Sequence, residues 1–143
     1  MDPLTIAGSV FGLIKAGTSI VSALTSIIDG VKDAPKLAQS LVWEVNDITA
    51  ALGTLQGYVI HEIAVAPARG SLILLEQVLA SLTGCVMTYS DLQAVLDSLS
   101  VNADMGAWER MKWLRKESTL QKIWQRLQSH KSSLTLMLTV LQW

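Results

Sequence analysis

Charge is scarcest in this sequence where a soluble helix would show most of it: from Pro3 to Ile28 the only charged residue is Lys15. Charged residues make up 16% of the 143-residue chain, against about 25% in an average globular domain. Half of the residues are hydrophobic and the mean hydropathy is +0.40, so apolar surface beyond what one core hides is expected. Cysteine occurs once, at Cys85, which excludes an intrachain disulfide and fits a reducing cytosol. In an apolar helical stretch it reads as a small buried hydrophobe. His61 and His130 are the only histidines, and neither has a second ligand at metal-binding spacing. Both read as surface or helix-end polar residues. No phosphate loop, HExxH, GxSxG or cysteine pair occurs, so no enzyme, cofactor or metal centre is expected. No stretch alternates with period two for long enough to call for a sheet.

What the sequence does have is helical periodicity. Asp2 is placed to cap a first helix over 3–28, with Pro3 in its opening turn and Asp29-Gly30 as its stop. Ile6, Val10, Leu13, Gly17, Ile20, Leu24 and Ile27 recur at alternating four- and three-residue steps, flanked by Ala7, Phe11, Ile14, Val21 and Ile28. Gly8, Gly12, Ala16, Ser19, Ala23 and Ser26 form a stripe of small residues on the other side, of the kind that lets helices approach closely in lipid. At about 1.5 Å per residue such a helix is long enough to cross a bilayer core of about 30 Å. Lys15 in its middle and its many Ser, Thr and Gly residues argue against a constitutive anchor, and the acidic start argues against a secretory signal. The expectation is a bundle helix that inserts conditionally, with Leu4, Ile6, Gly8, Val10, Phe11, Gly12, Leu13, Ile14, Ala16, Ile20, Val21 and Leu24 as its inserting residues.

A second helix over about 35–62 follows a hinge at 31–34, with Asp33 as cap. Its seam is Leu41, Val45, Ile48, Leu52, Leu55 and Val59, with Glu44, Asp47 and Glu62 on a solvated face. Pro67 and Gly70 break the chain before a third helix over 71–99, whose seam runs through Leu75, Leu79, Leu82, Val86, Tyr89, Leu92, Leu96 and Leu99. Gly84 inside it points to close packing against a neighbour. After the turn-rich SVNADMG, WERMKWLRK reads as a short amphipathic helix. Ser118 with Gln121 then forms a capping box for a last helix over 118–142, with Leu120, Ile123, Trp124, Leu127, Leu134, Met137, Leu138 and Leu141 inward. The pattern predicts one all-α domain over 1–143: an antiparallel four-helix bundle with a short extra helix before the last long one.

The charge is also unevenly placed. Residues 1–100 carry four Lys/Arg and nine Asp/Glu, whereas residues 101–143 carry seven and three. Arg110, Lys112, Arg115, Lys116, Lys122, Arg126 and Lys131 are interleaved with Trp108, Trp113 and Trp124, and Trp143 ends the sequence. Cations beside interfacial Trp suit an anionic lipid surface, at about 1 kcal/mol per cation near the headgroups. The expected docking residues are Arg110, Lys112, Trp113, Arg115, Lys116, Lys122 and Arg126. The alternative is that these tryptophans are core and the charges merely solvate the bundle. Without an overall basic charge or a recognition motif, no nucleic-acid partner is expected.

The opening MDPLTIAGSVFGLIKAG and the run RMKWLRKESTLQKIWQRLQSHKSSLTLMLTVLQ resemble the HeLo-like N-terminal domain of fungal STAND proteins, the NOD-like receptors of fungi. The two motifs bracket nearly the whole chain, while Val31 to Asn102 matches only in helical pattern. Such domains are similar to the cell-death bundles of the HeLo class and of mixed-lineage kinase-like pseudokinases. The resemblance implies a cytoplasmic domain that self-associates on activation, relocates to the plasma membrane and permeabilises it through its N-terminal helix, in heterokaryon incompatibility or defence. It also implies downstream nucleotide-binding or amyloid-motif modules as partners. The rival expectation is a non-lytic helical interaction module that packs on its neighbouring domains.

Overall fold

The computed structural model describes residues 3–30, 36–65, 71–99 and 106–141, and the side chains of 8–29, 36–57, 76–99 and 113–139. All of the described backbone is α-helical: α1 (Pro3–Gly30), α2 (Lys36–Val65), α3 (Ser71–Leu99) and α4 (Gly106–Leu141). Asp2, the hinge at 31–35, Pro67 with Gly70, residues 100–105 and Trp143 lie outside the described residues. So do the side chains of Leu4, Ile6, Ala7, Val59, His61, Glu62, Ile63, Leu75, Trp108, Arg110, Lys112 and Leu141.

Each of the first three helices has 28 to 30 residues, and each link has five or six. A helix of that length spans about 42–45 Å, whereas such a link reaches about 20–25 Å at most. Consecutive helices therefore run antiparallel. The most extensive contact is between α1 and α2; α2 also packs on α4 and α4 on α3, and α3 closes the ring on α1 through the smallest of these contacts. The order around the bundle is thus α1, α2, α4, α3, with α2 and α3 diagonally opposite and α1 and α3 parallel neighbours.

The core is built by the expected seams: Val10, Leu13, Ile20 and Leu24 from α1, Leu41, Val45, Ile48, Leu52 and Leu55 from α2, and Leu120, Ile123, Leu127, Leu134 and Met137 from α4. Each Leu or Ile taken out of water in this way contributes about 1.5–3 kcal/mol. Trp124 and Leu138 are partly buried against it. In α3 the seam runs one position off the expected one around Cys85. Val78, Leu82, Cys85, Tyr89, Leu92, Leu96 and Leu99 are buried, whereas Val86 is 49% exposed. Cys85 is the small buried hydrophobe expected, and burial pushes its thiol up to about 11, far from the reactive thiolate range.

Three other local readings are corrected. The short helix and the last long helix are one continuous helix, α4, with Ser118 exposed inside it and not capping anything. Neither Pro nor Gly occurs between Ala107 and Leu141, and Arg, Lys, Glu, Leu and Gln, all good helix formers, fill the supposed junction. Glu44 is not on a solvated face: it is 7% exposed and faces α4. Phe11, placed beside the apolar face of the first helix, is 62% exposed.

Two glycines mark close approaches. A Cβ on Gly17 would lie 3.0 Å from Thr49 Oγ1 and 3.4 Å from Val45 Cγ1, so the missing side chain lets α1 sit close on α2. A Cβ on Gly84 would lie 2.8 Å from Cε1 of His130, which is the close packing its position called for.

Candidate functional site

Two surfaces carry the residues singled out by sequence. The first is the outside of α1. Its large apolar residues Val10, Leu13, Ile20 and Leu24 are in the core, Ile14 and Val21 are half-buried, and the small stripe is turned outward. Gly8, Gly12, Ser19 and Ser26 are exposed, and Ala16 and Ala23 half-buried. Nothing lies within 4 Å of a Cβ built on Gly8 or Gly12. From Gly8 to Asp29 this exterior has one cation, Lys15, and one anion, the terminal Asp29. The Thr18 hydroxyl is turned back onto the Ile14 carbonyl at 3.0 Å, which reduces the polarity the helix presents. Among the described residues, Gly8–Asp29 is the one stretch long and apolar enough to cross a membrane, and 22% of it is buried.

Beside this stripe, where α1 meets α3, lies an open groove of about 630 Å³. Gly12, Leu13 and Ala16 line it from one side and Val86, Tyr89 and Ala94 from the other. It follows from the small side chains on both helices, which leave the α1–α3 contact unfilled. The displacement of Val86 from the core is its counterpart on α3.

The second surface is α4. Arg115, Lys116 and Lys122 are exposed, and between them and the core Trp113 is only 2% exposed. Trp113 is therefore a core residue in this fold, not a side chain presented to headgroups. Leu114, which the periodicity did not single out, is 58% exposed beside Arg115 and Lys116. Arg126 and Lys131 are drawn into the bundle. Arg126 Nη1 donates to Asp91 of α3 at 2.8 Å. Lys131 Nζ lies 2.9 Å from Glu44 Oε2 and 3.4 Å from Asp47 Oδ2, both on α2. The hydrogen bond to Glu44 is the main reason that Lys131 is held above the ordinary lysine range.

Among the described residues no group of three or more His, Cys, Asp or Glu could hold a metal ion. What the arrangement offers is an unusually uncharged helix exterior and a separate patch of exposed cations. Over residues 1–142 the sequence matches the family of the pigment biosynthesis cluster protein PigL, N-terminal domain. The chain belongs to this family. No curated protein and no solved structure matches it. Membership in the PigL N-terminal family thus rests on nearly the full chain, and it is this family, not the HeLo-like domain resembled by the terminal motifs, that the match supports.

Proposed function

We propose that this domain is a HeLo-like, membrane-acting N-terminal signalling module, with α1 as the inserting element and the exposed cations of α4 as its first contact with anionic lipid. In this reading it is held in the cytoplasm as a bundle and relocates to the plasma membrane on activation. There it self-associates and permeabilises the bilayer, in a cell-death or incompatibility response. In this reading it carries no catalytic role. The observation that carries the reading is the exterior of α1, which from Gly8 to Asp29 bears Lys15 as its one cation while the opposite face is already apolar. A helix with this composition loses little by exchanging water for lipid on its outer side.

The test is leakage of anionic vesicles by the wild-type domain and by Gly12→Leu. A Cβ at Gly12 meets nothing within 4 Å, so the substitution should leave the bundle folded, which a thermal melt checks. Leakage should nevertheless fall, because Leu holds helix backbones apart in lipid. Full leakage by the stable variant would remove α1 from the role. A second reading, a non-lytic interaction module, is favoured by the open α1–α3 groove, which has the size of a binding cleft. It expects no leakage from either form.

A further inference from the structure

We infer that the α3–α4 seam carries an acid-sensitive latch, in which His130 is seated, uncharged, in the notch left by Gly84 and is driven out of it by protonation. The inference is independent of membrane action. His130 Nε2 lies 2.8 Å from Oγ1 of Thr88, a fully buried side chain one turn beyond Gly84 on α3. The ring is so close to Gly84 that a single methyl there would meet Cε1 at 2.8 Å. The imidazole therefore fills a space that exists only because α3 has no side chain at that position. The bond to Thr88 fixes its direction.

The charges around the ring do not welcome a proton. On its own helix Arg126 lies one turn before it and Lys131 directly after it. Three carboxylates of the neighbouring helices are engaged by the cations beside the ring: Asp91 of α3 by Arg126, and Glu44 and Asp47 of α2 by Lys131. No carboxylate is placed against the ring among the described ion pairs. Burial first, and Arg126 second, hold His130 below the ordinary histidine value of 6.5.

The sign follows from linkage. Well above pH 6.5 the ring is neutral in both the folded and the unfolded chain, and it adds no pH dependence. As the pH falls below that value, the unfolded chain takes up the proton first, so stability is lost until the folded ring is protonated too. The carboxylates titrate mostly below about pH 5, which leaves the interval from pH 7.5 to 5.5 to histidine and, at its upper end, to the α-amino group that every variant shares. The chain has two histidines, His61 and His130, so a substitution at each separates their contributions.

The experiment is a series of thermal melts between pH 7.5 and 5.5 on the wild-type chain, His130→Gln and His61→Gln. The wild type and His61→Gln should lose melting temperature as the pH falls, and His130→Gln, which keeps a polar partner for Thr88, should not. Equal slopes in all three would overturn the latch. If His130→Gln fails to fold, the Cε1 proton resonance of His130 in the wild type decides instead. Titration with a midpoint below 6.5 supports the proposal, and a midpoint at or above it overturns the proposal.

Discussion

α1 and α4 belong to the same bundle but are held in it by different forces. α1 contributes Val10, Leu13, Ile20 and Leu24 to the core and one cation, Lys15, to its long exterior. α4 contributes a comparable set of apolar residues but is also tied to both of its neighbours: by Arg126 to Asp91, by Lys131 to Glu44 and Asp47, and by His130 to Thr88. Apolar contact is non-directional, whereas ion pairs and hydrogen bonds fix register. These ties fix the register of α4 against both neighbours, whereas α1 is seated on α2 by its apolar residues and the close approach at Gly17.

The comparison breaks most visibly at Lys131. Replacing it by Met leaves Glu44 shut in without its counter-charge, and a chemical-denaturation midpoint should fall by the equivalent of about 1–3 kcal/mol. The loss lies below the range for a fully buried pair because Lys131 itself is 33% exposed. Adding Glu44→Gln should recover part of it. If Lys131→Met alone is silent, polar fixation of α4 is not a stabilising feature and the contrast with α1 fails.

The glycines of α1 sharpen the same comparison on a smaller scale. Gly17→Ala drives a methyl against Thr49, whose hydroxyl is already committed to the Val45 carbonyl at 2.8 Å, so it should cost about 1 kcal/mol, the low end for overpacking. Gly12→Ala meets nothing within 4 Å and should raise stability by about 0.4–1 kcal/mol through helix propensity. Opposite signs of the two melting-temperature changes check the inward and outward faces of α1 at once. Equal signs would mean that the helix is rotated from the position described.

Much of this was legible in the sequence, for reasons that also explain what was not. The α2 seam repeats without interruption, and every one of its described members is buried. Around Cys85, where Cys and Val are both acceptable in a core, periodicity alone did not decide between neighbouring positions, and the small Cys went inside. The capping box at Ser118 was real as a pattern, but nothing in the flanking residues ends a helix there. Glu44 was misplaced because its partner lies 87 residues away, and His130 because its partner, Thr88, lies 42 away. Side-chain pairs between distant helices leave no local signal. For the candidate site, the uncharged exterior of α1 was visible from composition. The withdrawal of Trp113, Arg126 and Lys131 from the basic patch required the fold.

The ring order α1, α2, α4, α3 has a kinetic side. Two of its contacts, α1 with α2 and α3 with α4, join helices adjacent in the chain and close short loops, so they cost little chain entropy. The α2–α4 contact instead closes a loop of 87 residues at Lys131 and Glu44. Two helical hairpins that dock late is the assembly this connectivity favours, with α2–α4 burial as the slow step. Mutations at that interface should then act mainly on the unfolding rate, and those within the hairpins on the folding rate as well. A chevron in which Lys131→Met slows folding in full proportion to its destabilisation would reverse that order.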